Sequence, residues 1–178
     1  MKVYQSEGFN SKQPVYIGID QSYSGFAITA LNDGYKTTVF KSDKRGVDRL
    51  SEIHVHLIDE LLGYDIKDIA IEGYAFGSQM ANMLGELGGM VKLTLRDTFG
   101  IYPLIVPPTV LKKYATGKGQ GISKSQILMN VYKKWQIEYP DDNAADSFIL
   151  AHIVSGEYNL AYEKEVYDKL QNVKFRER

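Results

Sequence analysis

Asp20, Glu72 and the cluster DDNAADSF stand where carboxylates are hard to explain as ordinary surface charge. Asp20 closes the apolar run Val15–Ile19, and Glu72 closes IKDIAIE, Ile66–Glu72, in the same way. In the third stretch Asp142 and Asp146 lie at i, i+4, and Asn143 and Asp146 at i, i+3, so all three share a helical face. A charge emerging from a core strand must be paired, neutralised or bound to a cation. Two like charges at i, i+4 weaken a helix unless something compensates them. Each element also has a local use, since Asp caps turns and acids favour helix starts. Taken together they point to a divalent cation. Oxygen donors with no cysteine and few histidines suit Mg2+, which keeps several of its waters. Converging carboxylates are also what two-metal phosphoryl transfer needs, with one ion on the attacking water and another on the leaving oxygen, about 3.5–4 Å apart.

The substrate of such chemistry is a polyanion, and the charge distribution offers a surface for one. Thr98 to Ile137 holds Lys112, Lys113, Lys118, Lys124, Lys133 and Lys134 and no acidic residue, in a chain whose net charge is only −1. The remainder is therefore acidic, and the sign asymmetry marks one polyanion-facing side. A lysine-rich face can also be merely solvated, but such faces usually intersperse acids. Lys124 falls in the first turn of a helix, where the macrodipole disfavours a cation. A phosphate held by that helix start and by the preceding TGKGQGIS loop would account for it.

These residues need elements to position them. Strands are expected at Val15–Asp20, Gly25–Leu31 and Tyr35–Lys41, with Asn32-Asp33-Gly34 as a hairpin turn, then at Ile66–Glu72 and Tyr102–Val106. Helices are expected at Gly46–Leu62, Ser78–Asp97, from Thr109, after the N-cap Ser123, and at Asn143–Ser155. Gly85, Gly88 and Gly89 interrupt the second of these, each costing about 1 kcal/mol against Ala, as though a second backbone must come close. Residues 1–14 read as a loose arm, 15–156 as one domain, and 157–178 as a charged tail, helical from Leu160. His54 and His56 do not share a helix face and His152 sits in an apolar helix, so none is expected to act.

Composition fits this reading. A chain of 178 residues can build one core. No apolar run is long enough for a membrane span, and MKVYQSEGFNSKQ lacks the apolar stretch of a secretory signal. With no cysteine, disulfides and thiolate metal sites are excluded. A cytoplasmic protein is expected.

GIDQSYSGFAI, AIEGY, LKKYATGKGQGISKSQ and NAADSFILAHI, in that order and spacing, resemble the RuvC family of Holliday-junction resolvases, in its small phage-type form. The resemblance covers Val15–Ser155. It implies an RNase H-like α/β fold, a five-stranded mixed sheet flanked by helices, and a homodimer that cuts branched DNA with Mg2+ or Mn2+, two ions per site, leaving ligatable ends. For a phage-encoded member the location would be the host cytoplasm. By position the catalytic carboxylates fall on Asp20, Glu72 and Asp146, and the family lysines on Lys112 and Lys124. The remaining acidic position falls on Asn143, where some relatives have histidine, so either Asn143 or Asp142 completes the metal set. Lys113 and Lys118 extend the DNA-binding surface. Tyr74 and Phe76 flank the place of an aromatic wedge, to stack on an unpaired base or to serve the core. The homodimer is expected on the Ser78–Asp97 helix.

Three other readings compete with this one on the sequence. An actin-like kinase shares the G-I-D strand but needs two such domains, for which the chain is too short. A non-catalytic DNA-binding module on the same fold is compatible with Asn143. An RNase H or flap-type nuclease would use the same carboxylates.

Overall fold

The computed structural model describes residues 1–23, 25–74 and 81–176. Its centre is β2 (Val15–Gln21), paired antiparallel with β3 (Phe26–Leu31) and parallel with β5 (Ile66–Glu72). The hairpin turn joins β3 to β4 (Tyr35–Phe40) as expected, with Leu31 opposite Tyr35. β6 (Leu104–Val106) adds in parallel to β5.

The sheet has six strands rather than five, because part of the N-terminal arm is a strand. β1 (Lys2–Gln5) runs antiparallel along β4, giving the order β1-β4-β3-β2-β5-β6. KVYQ is too short and too polar to announce itself, yet it meets the backbone groups that an edge strand leaves open. Tyr4 packs edge-on against Tyr139 at 5.5 Å. At the opposite edge Leu104 bridges to Arg176, whose guanidinium donates to both carboxylate oxygens of Asp68, at 2.8 and 2.5 Å.

Alternation along β2 sorts its residues between two layers. Val15, Ile17 and Ile19 face α1 (Gly46–Leu61) and α2 (Ala81–Phe99), where Ile53, Leu57, Leu87, Val91 and Leu95 complete one core. Gly18 faces α5 (Asp142–Ser155). A Cβ on Gly18 would stand 2.0 Å from the Ser147 carbonyl oxygen and 2.4 Å from the Ala151 nitrogen, so α5 lies directly on the strand backbone. The second core forms around α5 with α3 (Pro108–Thr116), α4 (Lys124–Trp135) and α6 (Ala161–Leu170). α6 belongs to the expected tail and buries Val166 and Leu170 there.

Buried hydroxyls fix how α5 sits. Thr29 Oγ1 is 2.8 Å from both Ser147 Oγ and Thr37 Oγ1, and Thr37 continues to the Tyr139 hydroxyl at 3.0 Å. This chain spans β3, β4 and α5 one residue beyond Asp146. The helix cannot rotate without leaving buried hydroxyls unpaired, which costs about 1–3 kcal/mol for each.

Candidate active site

The register of the two central parallel strands brings the first two carboxylates together. Ile19 pairs with Ile71, so Asp20 and Glu72 follow side by side where β2 and β5 end. Both point away from the α1–α2 core, toward α5. Asp141 caps α5, its Oδ1 accepting from the backbone N–H and the side-chain amide of Asn143, each at 3.0 Å. The helix thus starts one residue earlier than expected, and Asp142, Asn143 and Asp146 all face the strand ends. Gln21 Nε2 donates to the Glu72 carbonyl oxygen at 2.7 Å and braces β5 against β2 at this point.

These groups line a cleft of about 520 Å3 that includes Asp20, Glu72, Tyr74, Lys112, Lys124, Asp142, Asn143 and Asp146. Pro108 opens α3 and sends Lys112 one turn further to the rim. Ser123 caps α4 in a full capping box with Gln126, which leaves Lys124 at the cleft mouth, ion-paired with Asp142.

The electrostatics follow from packing several acids into little water. Burial holds Asp20 well above the usual carboxylate range, and Glu72, Asp146 and Asp142 push it the same way. Burial also raises Glu72, to about 7, with Lys112 and Lys124 opposing. Asp146 is raised by burial and then by Glu72 and Asp142, and its Oδ1 is buried without a hydrogen-bond partner. Ion pairing with Asp142 raises Lys124.

The donors fit a hard cation. They are oxygens, one is orphaned, and the acids repel one another for want of positive charge. Among the described residues no three His or acidic groups already stand around a common point, and Lys124 supplies the positive charge at Asp142. Asp20, Glu72 and Asp146 would hold such an ion. Asn143 has spent its amide N–H on Asp141, so its carbonyl oxygen is the atom it can offer.

Other expected residues lie elsewhere. Lys113 pairs with Glu165 of α6 and does not line the cleft, and Lys118 sits exposed on the loop after α3. Lys134 is also removed from the basic surface: it lies 2.5 Å from the fully buried Glu163 and over the rings of Tyr114 and Trp135. Phe76 and Ser78–Met80 fall outside the described residues. Of the α2 glycines, Gly88 faces Gln21 and the Tyr74 ring, the atom nearest Gly85 is the Tyr74 hydroxyl, and Gly89 faces open space. Side chains of the same molecule lie against Gly88, and the room beside Gly89 stays open. No histidine lines the cleft: His54 bonds Thr94, His56 stacks on Phe40, and His152 meets Glu157. Sequence reasoning passed over Gln21 and Asp141. Gln21 had no polar signal beyond following Asp20, and Asp141 was hidden among adjacent aspartates.

The solved structures decide the architecture. The Thermus thermophilus RuvC structure superposes with a TM-score of 0.64 over 91% of this chain and 98% of its own, at 16% identity. T. thermophilus RuvC in complex with Holliday junction substrate gives 0.65 over 88% and 96%, also at 16% identity. The chain has the RuvC fold. No protein-family model and no curated protein matches the sequence. The RuvC fold nonetheless runs through nearly the whole chain, whose β2, β5, α3, α4 and α5 carry the four resembling motifs.

Proposed function

We propose that this chain is a RuvC-type endonuclease that cuts branched DNA, four-way junctions first among them, with Mg2+ or Mn2+. The observation that carries the reading is the convergence of Asp20 and Glu72, in register on neighbouring strands, with Asp142 and Asp146 of α5 beneath a rim of Lys112 and Lys124. Two divalent ions held by Asp20, Glu72, Asp146 and either Asn143 or Asp142 would supply an activated water and neutralise the leaving oxygen. The chain's own part is to hold the phosphodiester over these oxygens. Lys112 and Lys124 take its charge, the α4 start and the glycine-rich loop offer backbone donors, and Tyr74 in the cleft wall offers a face for a base.

Cutting opposite strands symmetrically needs two such sites, hence a homodimer. The outer face of α1 and α2 is the surface for it. Val47 and Leu93 are 79% and 51% exposed there and, with Leu50 and Met90, line an apolar groove. Sedimentation of a monomer at micromolar concentration, with and without DNA, would count against the dimer.

The nuclease reading is tested by incubating the purified protein with synthetic four-way, three-way, flap and RNA–DNA hybrid substrates, with Mg2+ or EDTA. Paired, ligatable cuts in the four-way junction with Mg2+ alone support it. Tight binding without cleavage in either condition would make the chain a binding module, and cleavage confined to hybrids or flaps would reassign the substrate.

A further inference from the structure

Arg49 of α1 is only 8% exposed, yet among the described residues no carboxylate pairs with it and its Nε has no hydrogen-bond partner. Its guanidinium lies over the Tyr23 ring, 4.0 Å from the centroid. A ring face attracts a cation but does not discharge it, and a buried charge without a counter-ion is costly. Arg49 lines a second cavity, about 470 Å3, with Tyr23, Lys44, Arg45, Gly46, Met83 and others. Tyr23 also lines the catalytic cleft, so the two cavities share a wall.

The cavity lies at the start of α1, and that start is uncapped. Arg45, the N-cap residue, makes no side-chain cap bond, and a Cβ on Gly46 would meet nothing within 4 Å. First-turn N–H groups, a fork-shaped guanidinium and the exposed Arg45 together match a phosphate. Lys44 contributes less, since it already pairs with Glu52 at 2.9 Å. Asp43 and Glu86 also line the cavity, but both are exposed to water and neither pairs with Arg49.

We propose that this cavity is a second phosphate subsite, which takes a backbone phosphate of the same DNA whose scissile phosphate lies in the catalytic cleft. The proposal rests on the nuclease reading above. The shared Tyr23 wall gives it its use: a strand held on both sides of Tyr23 has its register fixed relative to the carboxylates, as backbone contacts position a nucleic acid without reading its sequence.

The test follows the Arg49 Nε–Hε resonance in 15N-labelled protein, titrated in EDTA with a synthetic four-way junction and separately with inorganic phosphate. Bound junction is expected to shift it. Arg49→Gln and Arg45→Gln should each lower the slope of log affinity against log salt by about one, and the exposed Arg45 variant should do so with its melting temperature unchanged. A resonance unmoved by bound junction, or unchanged slopes in both variants, overturns the subsite. A shift with inorganic phosphate but not with bound junction overturns it too, since the site would then serve a free anion. Wild-type protein that binds no junction sinks the nuclease reading and this with it; wild-type protein that binds and cuts while Arg49 stays silent sinks the subsite alone.

Discussion

Lys124 of α4 and Asp142 of α5 are ion-paired across the mouth of the cleft, so one candidate metal ligand already carries its positive charge from within the chain. A lysine so placed can neutralise Asp142 or reach a phosphate, but not both at once. Lys124→Ala should therefore slow junction cleavage roughly 100–1,000-fold, as loss of one charge-stabilising donor does, while Mn2+ affinity measured by calorimetry holds or improves. Weaker Mn2+ binding in this variant would show that Lys124 organises the acids rather than competing for one.

Asp146 is the carboxylate with an orphaned buried oxygen. Asp146→Asn should lower cleavage on the order of a thousandfold while junction binding persists, because a metal-holding charge matters more to chemistry than to docking. Asn143→Asp should stay active, with a changed Mg2+ to Mn2+ preference. Asp142→Asn separates the two candidates for the last ligand: a loss matching that of Asp146→Asn assigns it to Asp142. Full cleavage by Asp146→Asn, in a preparation free of other nucleases, would refute the site.

Stability without metal should fall as pH rises. Asp20, Glu72 and Asp146 all have folded-state pKa values above their unfolded ones. The folded protein therefore holds protons that the unfolded chain has released, and stability drops as pH climbs from the ordinary value of 4.5 for Glu72 to about 7 in the fold. Urea unfolding in EDTA between pH 4.5 and 7.5 should show that decline, and Mg2+ should flatten it by binding the ionised acids. A midpoint that rises with pH in EDTA would contradict the raised values.

Gly18→Ala should be among the most damaging substitutions in the protein. The new methyl group would stand inside van der Waals contact of the α5 backbone, which lifts the helix off β2 at a cost of about 3 kcal/mol or more. Asp146 would move with it. Denaturant unfolding reads the stability, and a variant as stable as the wild type would mean that α5 does not rest on this strand.

The parts of the site legible in the sequence were those with a local cause. A strand that ends in an acid, as at Asp20 and Glu72, shows itself in a few residues, and so does the N-cap Ser123. What depended on contact between distant segments was not legible. Gly88 looked like room for another backbone and instead faces Gln21 and Tyr74, while a glycine that does admit a backbone, Gly18, sat unremarked in an apolar strand. Lys113 and Lys134 read as free cations because their partners, Glu165 and Glu163, lie on a helix far along the chain. The sixth strand was missed because four half-polar residues become a strand only when β4 is there to pair with them.

That strand and the Arg176 bridge end the sheet on short segments from opposite ends of the described chain: β1, four residues long, is itself the outer strand on one side, and β6 on the other has three. Neither flank of β4 nor that of β6 is left as a long run of open N–H and C=O groups. Crowded copies of the protein can therefore lie against each other without templating sheet-to-sheet growth. Shortening the chain by its first five residues would remove that protection at β4, and precipitation during concentration, rather than lost catalysis, would be its first sign.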